Sequence, residues 1–481
     1  MGRRILNTWN QIAPRAYQRQ WFCFPHKHEG NLELLRAHLR LTLDRLTSYF
    51  PYLSGKLFLL SSPLGYLCID LEDDAKIPLK IHDERSSYPW TYAQLEAQGF
   101  PARAFVDKSF DLPYQLSEDG GGMPVFEVHV RLIEGGLLLC IYCHHSISDG
   151  TSVNNIVNSF AQLTRDPEQD LEVKFVDVHV DLPEKVCSKV RQDSFDQLLS
   201  ECPEYHLLSS PTGPTQFRMP SAGTQWQDIR KTGRIFVIGA QQIKQLQQKL
   251  AEKSNWTPST FTCLAALTWA YVTKARLNSP KNLLSSSPDE PWVILKDVRL
   301  MISIDWRRRA FADIMGSSAG NTVALPKIGL GTGTVLAACS INKDISYSAL
   351  VEITRAIGTM VSGVDDDFVA LRTALFRKAP DPRFIGVDAD PRDPLDFYFN
   401  TWRHFGGNTR WKIPGVMEED GGATPDAIRR AQGDWNMGAG LILPARKNCS
   451  GFEVMVTLDV NAMEVLCEDA GWKSWIDDIS E

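Results

Sequence analysis

Leu137-Leu138-Leu139-Cys140-Ile141-Tyr142-Cys143-His144-His145-Ser146-Ile147-Ser148-Asp149-Gly150 is the stretch that decides how this chain is read. An apolar, strand-like run ends in two imidazoles, a carboxylate and a glycine. Upstream, Val125-Phe126-Glu127-Val128-His129-Val130-Arg131-Leu132 is a second strand-like run. Gly135-Gly136 supplies a turn, so the two runs are expected to pair as a hairpin. Downstream, Val153, Ile156, Val157, Phe160 and Leu163 fall on one helical face. The polar residues therefore occupy a strand-to-helix loop.

A histidine titrates near neutrality and can take a proton from a hydroxyl or an amine. Adjacent residues leaving a strand point to opposite faces, so only one of His144 and His145 serves a given cavity. Asp149 lies four residues beyond His145. A tight turn could bring its carboxylate to orient the ring, or it could turn away and brace the loop on a cation. Gly150 allows a backbone conformation or a close approach that a Cβ would block. A satisfied core histidine is the competing reading. It accounts for a lone His, but less well for a His pair followed at fixed spacing by Asp-Gly at a strand end. Cys140 and Cys143 beside the histidines raise the question of zinc. Positions three apart on a strand face opposite sides, so the thiols would not converge on one ion, and no metal is expected.

The bulk properties set wider bounds. With 481 residues, two to four domains are expected at ~150 residues each. Hydrophobic residues at 43% and charged residues at 23% suit a globular core. A net charge of -7 argues against nucleic acid, which wants a basic face. No run reaches the ~18 apolar residues of a membrane span, and Asn7, Asn10 and Gln11 interrupt the N-terminal stretch, so neither membrane nor signal peptide is expected. Ten cysteines without framework spacing fit reduced thiols and a cytoplasmic location.

Leu32, Leu35, Leu39, Leu43 and Leu46 mark an amphipathic helix leading to a short strand. Residues 181–225, with Pro183, Pro203, Pro211 and Pro214, read as a long connection holding a short helix near 192–201. Then come a strand at 234–238, a helix at about 240–252, and a helix capped by Thr257-Pro258-Ser259-Thr260. Ser285–Glu290 reads as a surface loop, and strands are expected at 300–304 and 452–458. Asp305-Trp306-Arg307-Arg308-Arg309 is either a solvated basic loop or a site loop, with one arginine on Asp149 and others near an anionic ligand. Asn400–Gly407 is polar, aromatic and glycine-rich, a weaker site signal. The expected fold class is α/β with mixed sheets, in two units of similar size: 1–180, the connection 181–225, and 226–481.

The motif His145-Ser146-Ile147-Ser148-Asp149-Gly150 resembles the His-x-x-x-Asp-Gly motif of BAHD-type acyl-CoA-dependent acyltransferases, which nonribosomal peptide condensation domains share. Ile12–Tyr17 and Trp21–Pro25 resemble the fungal trichothecene acetyltransferase-like group. So do Leu43–Leu46 with Tyr49–Leu57, Ser259–Trp269 with Ala275-Arg276, Asp305–Arg309, Gly320-Asn321, and Ile442–Pro444 with Gly451–Val454. Two departures stand out. Ser318-Ala319 replaces the aromatic before Gly-Asn, and Glu419-Asp420-Gly421-Gly422-Ala423 stands where the family has Asp-Phe-Gly-Trp-Gly.

The resemblance implies two chloramphenicol-acetyltransferase-like domains with an active-site channel at their interface. It implies that His145 is the general base and that Asp149 belongs to the catalytic pair as a brace for Arg307, not a charge relay. His144 is then a packing residue on the other face, and Gly150 a loop residue. Coenzyme contacts are implied at Ser259, Thr260, Arg309, Asn321, Thr401 and Trp402. The implied partners are acyl-CoA as co-substrate and a small, secondary-metabolite hydroxyl acceptor, with acetyl as the default acyl group, no bound cofactor, and a monomer. A stand-alone condensation enzyme using a carrier-protein thioester, and a non-catalytic binding protein on this scaffold, are the alternatives.

Overall fold

A computed structural model describes residues 3–27, 32–112, 121–172, 178, 182–210, 217–218, 223–280, 283–284, 297–315, 319–417 and 421–480. The expected Ser285–Glu290 loop, Pro211, Pro214, Ser318, Glu419 and Asp420 lie outside them.

The hairpin forms as expected. Phe126–Ile133 and Gly136–His144 pair antiparallel, with Phe126 opposite Cys143 and Ile133 opposite Gly136. Both strands are buried throughout, because each face of their sheet is covered. The sheet runs in the order Ala427–Arg430, Tyr17–Pro25, Gly136–His144, Phe126–Ile133, Leu79–Asp83, antiparallel except for the last pair. Helices Leu32–Tyr49 and Gly150–Arg165 cover one face. Leu35, Leu39, Leu43 and Leu46 meet Val153, Ile156, Val157 and Phe160 there, each burial contributing roughly 1.5–3 kcal/mol. Residues 88–112 cover the other face with Tyr92, Leu95, Phe100, Phe105 and Phe110.

A seven-stranded mixed sheet carries the second half, in the order Lys327–Gly331, Asp297–Ile302, Asp396–Thr401, Ala439–Ile442, Gly451–Asp459, Lys231–Gly239, Ile476–Ser480. Helices Ala240–Ser254, Thr260–Leu277 and Lys343–Ser362 pack into its core. Ser259 caps the second of these, its Oγ accepting from Thr262 N at 3.1 Å. Asp297–Ile302, Asp396–Thr401 and Ala439–Ile442 run parallel, so their carboxyl ends share one edge.

The two halves exchange parts. Ala427–Arg430, inside the expected 226–481 unit, is an edge strand of the five-stranded sheet, with Arg430 opposite Gln20 and Ala427 opposite Cys23. Helix Thr8–Ile12 crosses the other way. Trp9 Nε1 donates to Thr373 Oγ1 at 3.0 Å and its ring packs on Trp306 and Phe376. The connection is itself structured: Phe195–Ser200 is helical, Tyr205–Leu207 pairs with Ile385–Val387, and Glu204 accepts both Nε and Nη2 of Arg372 at 2.6 and 3.0 Å.

Candidate active site

The strand ends at His144 and the next helix starts at Gly150, so His145–Asp149 form a short loop at the seam between the halves. As strand geometry requires, the two histidines diverge. His144 is fully buried, its ring set edge-on to Tyr17 at 5.2 Å with Nδ1 accepting from Ser146 N at 3.3 Å. Burial pushes its pKa down to about 3.

His145 is half-buried and lies against Asn321, with Nδ1 at 3.2 Å from Oδ1. Asn321 is itself fixed. Its Nδ2 donates to the His145 carbonyl at 2.7 Å and to Asn10 Oδ1 at 2.9 Å, and its backbone N–H donates to Asn10 Oδ1 at 2.8 Å. With the amide nitrogen so spent, the Asn321 oxygen can only accept, so the His145 proton sits on Nδ1. Nε2 has no hydrogen bond among the described residues and keeps its lone pair. Burial lowers the pKa of His145, offset in part by its own carbonyl, the Asp149 charge and Asn321. The ring is therefore a neutral base at neutral pH.

Asp149 does not orient this ring. Its Oδ1 caps the following helix by accepting from Ser152 N at 2.9 Å. Its Oδ2 accepts from Arg307 Nη2 at 2.8 Å, Thr322 N at 2.9 Å and Thr322 Oγ1 at 3.2 Å. Burial alone would raise its pKa, but the Arg307 charge and these N–H donors hold it below the usual carboxylate range. Arg307 also donates to Ser152 Oγ at 2.7 Å, the Gly320 carbonyl at 2.8 Å and Asp305 at 2.9 Å. The result is a clamp that ties the loop after Gly136–His144 to the edge where the parallel strands end.

Gly150 has no left-handed φ. Its role is close approach: a Cβ there would stand 2.5 Å from Phe405 Cε2. Gln18, not foreseen in the sequence, donates from Nε2 to the Ser148 carbonyl at 2.5 Å. Asn10, Ser152 and Thr322 were likewise missed. Their signal is polarity inside an apolar segment, which shows its meaning only once the partner is known.

The residues expected at the coenzyme scatter. Ser259 and Thr260 open one helix, Ser259 exposed and Thr260 half-buried. Arg309 is exposed and its Nη1 reaches the Val361 carbonyl at 3.4 Å. Thr401 is half-buried at a strand end, its Oγ1 accepting from Arg403 N at 3.2 Å. Two of the six are already engaged within the protein. Asn321 is a holder of His145, both hydrogens of its amide already donated. Trp402 is a core residue packed with Ile235, Leu441, Leu443 and Met455. Cys140 and Cys143 face opposite cores, as strand alternation dictates. In the departed late motif, Ala423 bridges Trp411 through backbone bonds of 2.8 and 2.7 Å. Trp411 is fully buried among Phe22, Phe24 and Phe160.

Comparison with known proteins adds to this geometry. The trichothecene 3-O-acetyltransferase-like N-terminal domain family matches residues 16–163, and the transferase family matches residues 107–335. Trichothecene 8-O-acetyltransferase of Fusarium sporotrichioides is 23% identical over 98% of this chain and 97% of its own. Acyltransferase BOA11 of Botryotinia fuckeliana is 22% identical over 99% and 98%. Among solved structures, F. sporotrichioides TRI101 complexed with coenzyme A and T-2 aligns at a TM-score of 0.73 and 17% identity, over 99% of each chain. Vinorine synthase aligns at a TM-score of 0.59 and 13% identity, over 99% of this chain and 94% of its own. At these identities the structural likeness speaks to the fold.

Proposed function

This chain belongs to the BAHD-type acyl-CoA-dependent acyltransferases, in their fungal trichothecene acetyltransferase-like group, and we propose that His145 is its general base. The enzyme moves an acyl group from coenzyme A to a hydroxyl of a small metabolite. The observation that carries the assignment of the base is the Asn10–Asn321–His145 chain, which puts the ring proton on Nδ1 and leaves Nε2 to act.

In the proposed reaction His145 Nε2 takes the proton of the acceptor hydroxyl as its oxygen attacks the thioester carbonyl. A carbon–oxygen bond forms, the tetrahedral oxyanion collapses, the carbon–sulfur bond breaks, and the imidazolium returns the proton to the leaving thiolate. Positioned base catalysis contributes ~10²–10⁴-fold, and alignment of the two substrates supplies more. Asp149 and Arg307 act on the loop, not on the proton.

Acetyl is the proposed acyl group, after the relatives named as acetyltransferases. A cytoplasmic setting is supported by ten free cysteines, burial raising the thiol pKa of several of them. No helix among the described residues is long and apolar enough to cross a membrane.

The test offers acetyl-CoA and an acyl-carrier-protein thioester in turn, with a panel of hydroxylated metabolites, and reads free thiol and acylated product. Thiol release from acetyl-CoA that His145→Ala lowers by ~10²–10⁴-fold, with circular dichroism unchanged, is expected. Release only from the carrier thioester marks the condensation-type alternative. A folded His145→Ala that keeps the wild-type rate overturns the base.

A further inference from the structure

Strand Ala427–Arg430 carries two successive arginines with opposite surroundings. Arg429 is 1% exposed and fully matched. Glu453 accepts from its Nη1 and Nη2 at 3.1 and 3.0 Å, and the carbonyls of Phe100 and Gly99 accept at 2.7 and 2.9 Å. Arg430 points to the opposite face. It is half-buried, and its guanidinium has no hydrogen bond and no ion pair among the described residues. An arginine does not shed its charge in a protein. Burying such a charge without a counter-ion is costly. The arrangement makes sense where a ligand brings the anion.

The neighbours are donors. Directly across the strands from Arg430 is Gln20, 1% exposed, whose Nε2 is buried with no partner. The charge of Arg430 also acts on the Tyr398 hydroxyl and on His145. Tyr398 is hydrogen-bonded to Ser303 Oγ and receives Asn400 Nδ2 at 3.3 Å. Ser303, Tyr398 and Asn400 are each half-buried, and Ser303 lies two residues before Asp305, which accepts from Thr151 and Arg307.

We propose that Arg430, with the amide of Gln20 and the hydroxyls of Tyr398 and Ser303, forms a subsite for a carboxylate on the acyl acceptor. The preferred acceptors are then hydroxylated carboxylic acids. This rests on the reading of His145 as the base that acylates a hydroxyl. The phosphates of coenzyme A are the other anions at hand, but the whole pantetheine arm separates them from the sulfur. Arg430 stands across from Gln20 on the strand whose Tyr17 pairs with His144, beside the base, and so is placed for the acceptor.

The experiment uses a panel of hydroxylated monocarboxylic acids, each beside its methyl ester, in two arms. Calorimetry measures binding to full-length His145→Ala protein with coenzyme A present, with and without Arg430→Gln. Kinetics with acetyl-CoA measure the acid-to-ester ratio of kcat/KM for the wild type, Arg430→Gln and Arg430→Lys. Acids are expected to bind and react better than their esters. Arg430→Gln should collapse that ratio by on the order of 30-fold, and Arg430→Lys should retain part of it. Three outcomes overturn the subsite: esters equal to acids in the wild type, a ratio unmoved by Arg430→Gln, or an equal loss against both. The last would mark a role at the oxyanion or in the fold. Should Arg430→Gln fail to fold, the wild-type and Arg430→Lys ratios carry the same decision. Arg430-dependent binding of acids with no acetyl transfer to anything would instead sink the reading of the function and leave the subsite standing.

Discussion

His144 and His145 are neighbours with separate duties, and pH tells them apart. His144 has a folded pKa of about 3 against ~6.5 in the unfolded chain, so the unfolded state takes up its proton first. Its stabilising contribution is fully present above about pH 6.5 and is lost as pH falls from there toward 3. In His144→Gln, the slope of unfolding free energy against pH between 6 and 4 should be shallower than wild type by up to about 1.4 kcal/mol per pH unit. Urea titrations at several pH values check this; parallel slopes would count against it. Asp149 makes a stability prediction of a different kind. Asp149→Asn leaves Arg307 buried with Asp305 as its remaining carboxylate, at about 3 kcal/mol, read as a lower urea midpoint with an unchanged slope. The loop position of His145, Asp149 and Gly150 was legible because it lies in short local spacing, whereas the pairing of Arg307 with Asp149, 158 residues apart, came only with the family resemblance. The resemblance also offers Asn321 and Trp402 as coenzyme contacts. Both are polar or aromatic residues in promising loops, and composition does not say which neighbour takes up their hydrogen bonds or their surface.

At the scale of elements, the Gly136–His144 strand and the Gly150–Arg165 helix were readable from period two and period 3.6. The loop between them could only be completed in three dimensions. The ring of Phe405 packs against Gly150, where a Cβ would come within 2.5 Å of it. Gly150→Ala should cost roughly 1–3 kcal/mol by overpacking. Phe405→Leu in the same chain should recover part of that loss, giving a favourable coupling in a double-mutant cycle measured by thermal or urea unfolding. Strictly additive effects would place the glycine's importance elsewhere. The short strand Ala427–Arg430 was not legible at all. Four residues carry too little periodicity to assign, and its partner at Tyr17–Pro25 lies some four hundred positions away in the chain.

The whole molecule is less divisible than its sequence suggests. A boundary within residues 181–225 separates two α/β patterns, yet each half lends the other a piece. Without Ala427–Arg430, the strand Tyr17–Pro25 becomes an open edge of a buried sheet, a template for pairing between chains. Residues 1–225 expressed alone should therefore aggregate or pair with themselves. Co-expression with residues 226–481 should return soluble protein, checked by size-exclusion chromatography. A soluble, monomeric 1–225 fragment would contradict the dependence. The same exchange predicts one cooperative unfolding transition for the full chain, since neither core is complete without the other.

The alternation along Ala427–Arg430 also says how this enzyme could be re-targeted. Residue 429 is anchored to Glu453 and so is closed to change, while residue 430 faces the other way and makes no hydrogen bond or ion pair among the described residues. A two-residue period thus separates what a library should hold constant from what it should randomise. Position 430, varied together with Gln20 and Ser303 and with 429 left alone, offers a route to new acceptors that leaves the Arg429–Glu453 anchor in place.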